Sequence, residues 1–167
     1  QFHPTTFLFN KEKSSVFLIT EAIRGDGAIL KNSNNESFMR LYDKNENLAA
    51  RDIVSRAIYK ESNAGKLPVY LDFSNLKEII QKKYPTIYAF CKNKNIDITK
   101  NQLPITPAAH YIMGGIKTTE FAETSVKNLY AVGEVACTGV HGSNRLASNS
   151  LLEAIVFANR ATEKILS

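Results

Sequence analysis

The chain has 167 residues, 44% apolar and 22% charged, a balance that excludes a disordered tail, a collagen-like chain and a coiled coil. Its formal net charge is +5, which admits nucleic acid, anionic lipid or small acidic substrates as partners. No apolar run approaches the roughly 20 residues of a membrane span, so a soluble chain with no membrane partner is expected.

The opening, QFHPTTFLF, is apolar and β-prone with a Pro inside it, which predicts a strand end running into a loop. Residues 16–24, VFLITEAIR, predict a helix or strand stopped by Gly25-Asp26-Gly27. Ala28–Lys31 and Ser37–Leu41 flank an Asn-rich turn, a hairpin pattern. Asn47–Ala64 has helical spacing, with Ile53, Val54, Ala57 and Ile58 on one face and Gly65 as the stop. Val69, Leu71 and Phe73 alternate as in a short strand.

Leu76–Lys94 is helical again, with Leu76, Ile79 and Ile80 inward and Pro85 opening a second helix. Residues 96–118 read as extended and turn-rich. Leu129–Val132, LYAV, predicts a short strand ending at Gly133. A polar loop follows, then a long helix over Ser150–Ile165 with Leu151, Leu152, Ile155 and Val156 on its apolar side. Composition changes near residue 105, from Lys-rich to nearly neutral, and a domain boundary is expected there.

The charge is uneven. Residues 1–100 hold 16 Lys/Arg against 11 Asp/Glu, and residues 101–167 hold 5 against 5. Much of the excess is lysine between Lys77 and Lys100, which predicts a solvated helix face. A nucleic-acid module would need clustered Arg and interleaved aromatics, so no nucleic-acid partner is expected. Cys91 and Cys137 form no CxxC, which argues against a metal site or disulfide scaffold and fits a reducing, cytoplasmic setting. GxGxxG, Walker A and GxSxG motifs are absent from the sequence. It begins at Gln1 in what reads as folded core, as a piece of a longer chain would.

Two constellations carry chemistry. His3, Arg51, His110 and Arg145 each stand in a locally irregular context. Brought together, two Arg and two His would bind a dicarboxylate, Arg bidentately and His as a directional donor. Held apart, they would be ordinary surface or loop groups. The second constellation is strand, Gly133, Glu134, loop and helix start at Ser150. That order is how an α/β protein offers helix N–H groups to a pyrophosphate or the electron-rich edge of a flavin, and a carboxylate to ribose hydroxyls. An ordinary βα connection would look the same.

Six stretches resemble the flavoprotein family of L-aspartate oxidase, fumarate reductase and succinate dehydrogenase. They are QFHPTTF at 1–7, FLITEAIRGDGAIL at 17–30, FMRLYD at 38–43, ARDIVSRAI at 50–58, ITPAAHYIMGGIKT at 105–118 and NLYAVGEVACTGVHGSNRLASNSLLEAIVFA at 128–158. TEAIRGDG and RLASNSLLE are similar to the L-aspartate oxidase branch; a fumarate reductase or succinate dehydrogenase flavoprotein is the alternative.

The resemblance implies an α+β fold. Residues 4–106 would be a capping domain that closes over the substrate. Residues 107–167 would be the returning strand–loop–helix segment of an α/β FAD-binding domain, with 1–3 as its preceding edge. It implies FAD as cofactor, with Glu134, Ser150 and Leu151 as contacts. Arg51 would be the catalytic acid/base, with His3, Thr20, Glu21, His110 and Arg145 binding the dicarboxylate or its amino group. His141 and Asn144 would shape the loop.

The implied reaction oxidises L-aspartate to iminoaspartate, with fumarate or O2 as acceptor, in de novo NAD biosynthesis, and quinolinate synthase would take the product. The motifs are those of an internal fragment, which alone is expected neither to hold FAD tightly nor to turn over. An arginine acid/base sits uneasily with a guanidinium that stays protonated; neighbouring cations, Arg145, His3 and His110, are expected to ease that conflict.

Overall fold

The computed structural model describes residues 1–10 and 15–167, without the side chains of 8–10 and 15. The chain mixes helix and sheet and divides into two compact units, Phe2–Ala108 and Gln1 with Ala109–Ser167.

The first unit is built on a sheet of five strands: β1 (Phe2–Asn10), β2 (Ser15–Leu18), β3 (Ile29–Lys31), β4 (Val69–Asp72) and β5 (Leu103–Ala109), in the order β2-β1-β5-β4-β3. The pairs β1/β2, β3/β4 and β4/β5 are antiparallel, with Thr6 opposite Leu18, Leu30 opposite Leu71 and Val69 opposite Ile105. The Thr6 hydroxyl ties β1 to β5 by donating to the Thr106 carbonyl at 2.5 Å.

Helix α1 (Ala22–Gly25) follows β2, and α2 (Arg51–Glu61) packs on β1. Val54, Ala57 and Ile58 of α2 join Phe38, Leu71, Phe73 and Leu103 in one core. Each of these side chains other than Ala57 contributes about 1.5–3 kcal/mol of burial. Two short helices follow, α3 (Ile80–Lys83) and α4 (Pro85–Asn93), and Phe17 stacks on Phe90 of α4 at 3.8 Å, closing the core beyond β2.

Several expectations are corrected here. The opening stretch is a nine-residue strand rather than a strand end. The second arm of the 28–41 hairpin is a single bridge, Lys31 to Ser37, followed by a 3-10 turn at Met39–Leu41. Phe38 and Met39 turn into the core there, and an alternating strand would have buried only one of them.

Asn47–Ala50 stays outside α2 because Asn47 is engaged elsewhere: its side-chain oxygen accepts from Leu30 N–H at 3.1 Å and its carbonyl accepts from Arg24. The 76–94 stretch is broken at Tyr84, whose φ of −127° and ψ of 57° follow the restriction Pro85 places on the residue before it. Leu76 and Ile80 are buried, but Ile79 is 43% exposed. The lysines of this region face water as expected.

The second unit has a parallel pair, β6 (Ile116–Lys117) with β7 (Ala136–Cys137), and the 18-residue helix α5 (Asn149–Leu166). Two further corrections arise. LYAV makes only a bridge, Tyr130 to Glu123, and the strand forms later, at Ala136–Cys137. Ala131 is buried but Leu129 and Val132 are exposed, so neither face of the run is covered along its length as a strand face would be.

The buried face of α5 is Glu153, Phe157 and Ala161, not the expected Leu151, Leu152, Ile155 and Val156, which are 46–71% exposed. Phe157 and Ala161 pack on Ala122 with Tyr130 beside them. Glu153 is drawn inward by hydrogen bonds, and the register of the helix follows.

Candidate functional site

Arg51 is the first residue of α2, and Glu21 precedes α1. The two elements start close together, and Arg51 Nε donates to Glu21 Oε2 at 2.8 Å. The other Glu21 oxygen accepts from Arg24 Nη2 at 3.1 Å. Glu21 therefore bridges two guanidiniums, and Arg51 and Glu21 side chains are only 10% and 19% exposed.

Arg24 is buried and also donates to the Asn47 carbonyl. Burial pushes the Arg24 guanidinium below the ordinary arginine value; Glu21 works against that and Arg51 adds to it. The sequence reading missed Arg24. The signal available was its place three residues after Glu21, one helical turn apart on the same face.

Arg51 thus has the anion Glu21 bonded to it and the Arg24 cation near enough to be felt. His3 lies buried in β1, and its Nδ1 accepts from Thr5 N–H at 3.3 Å. A neutral ring then carries its proton on Nε2, which makes that nitrogen a donor. The Thr20 hydroxyl accepts from Ala22 N–H at 3.4 Å, at the entry to α1.

In the second unit, Arg145 is buried with its guanidinium carbon 4.3 Å over the Tyr111 ring, and it donates to the Leu146 carbonyl at 3.0 Å. A cation over an aromatic face is attracted by the ring quadrupole. His110, one residue before Tyr111, is exposed. The loop that carries Arg145 is anchored by Gln1, whose side-chain N–H group donates to Asn144 Oδ1 at 2.8 Å and to the Arg145 carbonyl at 2.9 Å.

His141, expected to shape this loop, meets Glu153 Oε2 with its Nε2 at 2.8 Å. The structure thus groups Glu21, Arg51 and the unexpected Arg24 in the first unit. In the second it groups Arg145 with Tyr111, His141 and Glu153.

Helix α5 starts after Ser148, a left-handed residue with φ of 67° that gives the helix no side-chain cap. Its first turn contains Ser150 and Leu151, whose N–H groups belong to the four that an α-helix leaves without internal partners. Glu134 is exposed in a 3-10 turn, with Oε1 accepting from Ile112 N–H at 3.0 Å. Helix-end donors suit the electron-rich oxygens of a dinucleotide, and a carboxylate suits its sugar hydroxyls, so this donor set fits FAD.

Gly115 supports the same region. Its φ is +144°, and a Cβ there would lie 2.2 Å from the Val135 carbonyl oxygen, beside Glu134. Only glycine lets β6 come this close to the 133–135 turn. Among the described residues, no group of His, Cys, Asp and Glu could hold a metal ion, and no helix is long and apolar enough to cross a membrane.

The chain is similar over 167 residues to the L-aspartate oxidase of Clostridium acetobutylicum, at 48% identity, covering 99% of this chain and 37% of that protein. It is 46% identical to the chloroplastic L-aspartate oxidase of Arabidopsis thaliana, covering 98% of this chain and 26% of that protein. Among solved structures, an E. coli quinol fumarate reductase FrdA chain superposes with a TM-score of 0.87 at 36% identity, over 98% of this chain and 31% of that one.

The chain thus spans about a quarter to two fifths of the length of these relatives. The FAD binding domain family matches residues 1–151. With nine-tenths of its length inside that match, and with a donor set suited to a dinucleotide, the chain belongs to the FAD binding domain family.

Proposed function

We propose that this chain is part of a flavin-dependent L-aspartate oxidase that converts L-aspartate to iminoaspartate, with fumarate or O2 as acceptor. The observation that carries this reading is the Arg51–Glu21 pair at 2.8 Å, with Arg24 on the far oxygen of Glu21. It fixes the Nε edge of one guanidinium at a helix start, and a planar guanidinium is the group suited to meet a carboxylate. The 48% identity to an L-aspartate oxidase favours aspartate as substrate.

In this reading residues 4–106 are the capping domain and 107–167 belong to the FAD-binding domain. Glu134, Ser150 and Leu151 hold the cofactor. Bound FAD supplies the two-electron acceptor. His3, Thr20, Glu21, His110 and Arg145 bind the dicarboxylate or its amino group by charge and directed hydrogen bonds. Arg51 is the acid/base. A guanidinium stays protonated, so Arg51 suits the step in which fumarate, as acceptor, takes a proton at carbon. Glu21 orients Arg51 and lies against the same guanidinium that gives the proton. The place of the reaction is the first step of de novo NAD biosynthesis in the cytoplasm, with quinolinate synthase consuming the product.

The test is product analysis on the full-length, FAD-loaded protein under air. Aspartate should yield hydrogen peroxide with one equivalent each of oxaloacetate and ammonia, the hydrolysis products of iminoaspartate. The 0.87 superposition on a fumarate reductase chain favours a second reading, a fumarate reductase or succinate dehydrogenase flavoprotein. Fumarate formed from succinate, with no peroxide or ammonia from aspartate, would establish it instead.

A further inference from the structure

Glu153 is the one carboxylate on the buried face of α5. Its side chain is 2% exposed, and three groups from outside the helix reach it. The Thr138 hydroxyl donates to Oε1 at 2.5 Å, the Tyr111 hydroxyl donates to Oε2 at 3.1 Å, and His141 Nε2 meets Oε2 at 2.8 Å. Burial works to raise the Glu153 carboxyl, but the hydrogen bonds from Thr138, His141 and Tyr111 outweigh it and hold it below the usual carboxylate range. An ionised carboxylate only accepts, so His141 Nε2 is the donor.

Burial first, and Glu153 second, push the Tyr111 phenol up to about 12, so it remains a neutral donor. Two of the three donors lie in the loop that carries Arg145, and the third, Tyr111, comes from outside it. Tyr111 precedes β6, while Thr138 and His141 lie in the loop after β7. The Tyr111 ring is the platform under the Arg145 guanidinium, 4.3 Å away, and its edge meets the His141 ring at a centroid distance of 5.7 Å.

We propose that Glu153 is the positioning residue for Arg145, fixing the Tyr111 platform by its hydroxyl and the 138–146 loop through Thr138 and His141. Glu153 acts through Thr138, Tyr111 and His141. It sets the plane in which the Arg145 fork is presented, and a fork binds a carboxylate bidentately only when that plane is fixed. This rests on the reading of Arg145 as a dicarboxylate-binding group.

The test is a double-mutant cycle on the full-length, FAD-loaded protein. The probe is malonate, a dicarboxylate that is not turned over, with its Kd read from the flavin absorbance change. Tyr111→Phe keeps the ring and removes only the tie to Glu153. It should raise the malonate Kd about five-fold, the loss expected for one hydrogen bond. Arg145→Lys keeps the charge and drops the planar fork, so binding weakens and stays measurable.

In the Arg145→Lys background, Tyr111→Phe should change the Kd by less than about two-fold, because residues acting as a unit are not additive. The same five-fold loss in both backgrounds would overturn the proposal and leave the dicarboxylate site standing. An unchanged Kd in Arg145→Lys alone would instead overturn Arg145 as a dicarboxylate group, and the proposal with it. Should Tyr111→Phe lose FAD, Thr138→Val removes a different arm of the network, and the same two outcomes decide.

Discussion

Arg51 Nε and Glu21 Oε2 lie 2.8 Å apart, and Glu21 gives its second oxygen to Arg24 at 3.1 Å. One carboxylate thus fixes the first residue of α2 against the start of α1. The Nε edge of the Arg51 guanidinium is oriented by that carboxylate.

If Arg51 is the acid/base, Arg51→Lys should keep dicarboxylate affinity within several-fold and lose most turnover. Lysine retains the charge but reaches less far and cannot hold the fork geometry. Steady-state kcat and malonate Kd, measured together, check this. An affinity that collapses while turnover survives would move Arg51 from catalysis to binding.

Arg24→Met should destabilise the protein by about 2 kcal/mol, because it leaves Glu21 short of one partner and empties the bond to the Asn47 carbonyl. Denaturant unfolding reads the loss. The side chain of Arg24 is 4% exposed, so the effect should persist at high salt, where an exposed pair would be screened.

Asp72 sets an acid limb. Burial works to raise its carboxyl, but Lys31 Nζ at 2.7 Å and Ser74 outweigh burial and hold it below the usual value. The folded value lies below the unfolded one, so the stabilisation is complete above about pH 4 and is lost as pH falls through the folded value. Lys31→Met should cost about 1 kcal/mol near pH 7 and much less at the acid end. Unfolding midpoints at both ends of that range measure the difference.

Gly115→Ala should separate β6 from the 133–135 turn. The added Cβ meets the Val135 carbonyl at 2.2 Å, and the φ of +144° is one that alanine resists. A loss of about 2 kcal/mol or more is expected. Flavin content should fall with it, because Glu134 lies in the displaced turn; an absorbance spectrum of the purified variant reports that directly.

The first unit was largely legible from its pattern. Ile53, Val54, Ala57 and Ile58 share a helical face, and the alternation that starts at Val69 is the strand Val69–Asp72, because both stretches find their cover within the unit. The second unit was less so. Reading α5 by its largest apolar residues chose Leu151, Leu152, Ile155 and Val156, all exposed, over Glu153, Phe157 and Ala161.

Periodicity ranks side chains by apolarity, and a carboxylate held by three donors defeats that ranking. Glu153 and Phe157 do stand at i, i+4 with Ala161 one step further, a spacing that would have exposed the second face. The site was legible where residue type alone marks chemistry, as at Arg51 and Arg145. It was not legible at Arg24 or Tyr111, whose roles come from what they touch.

In the proposed reading the substrate is an amino dicarboxylate oxidised by the flavin. Anaerobic mixing of the full-length, FAD-loaded protein with L-aspartate and, separately, with succinate tests it most directly, read as bleaching of the flavin absorbance. Bleaching by L-aspartate and not by succinate is the predicted result. Bleaching by succinate and not by L-aspartate would contradict it.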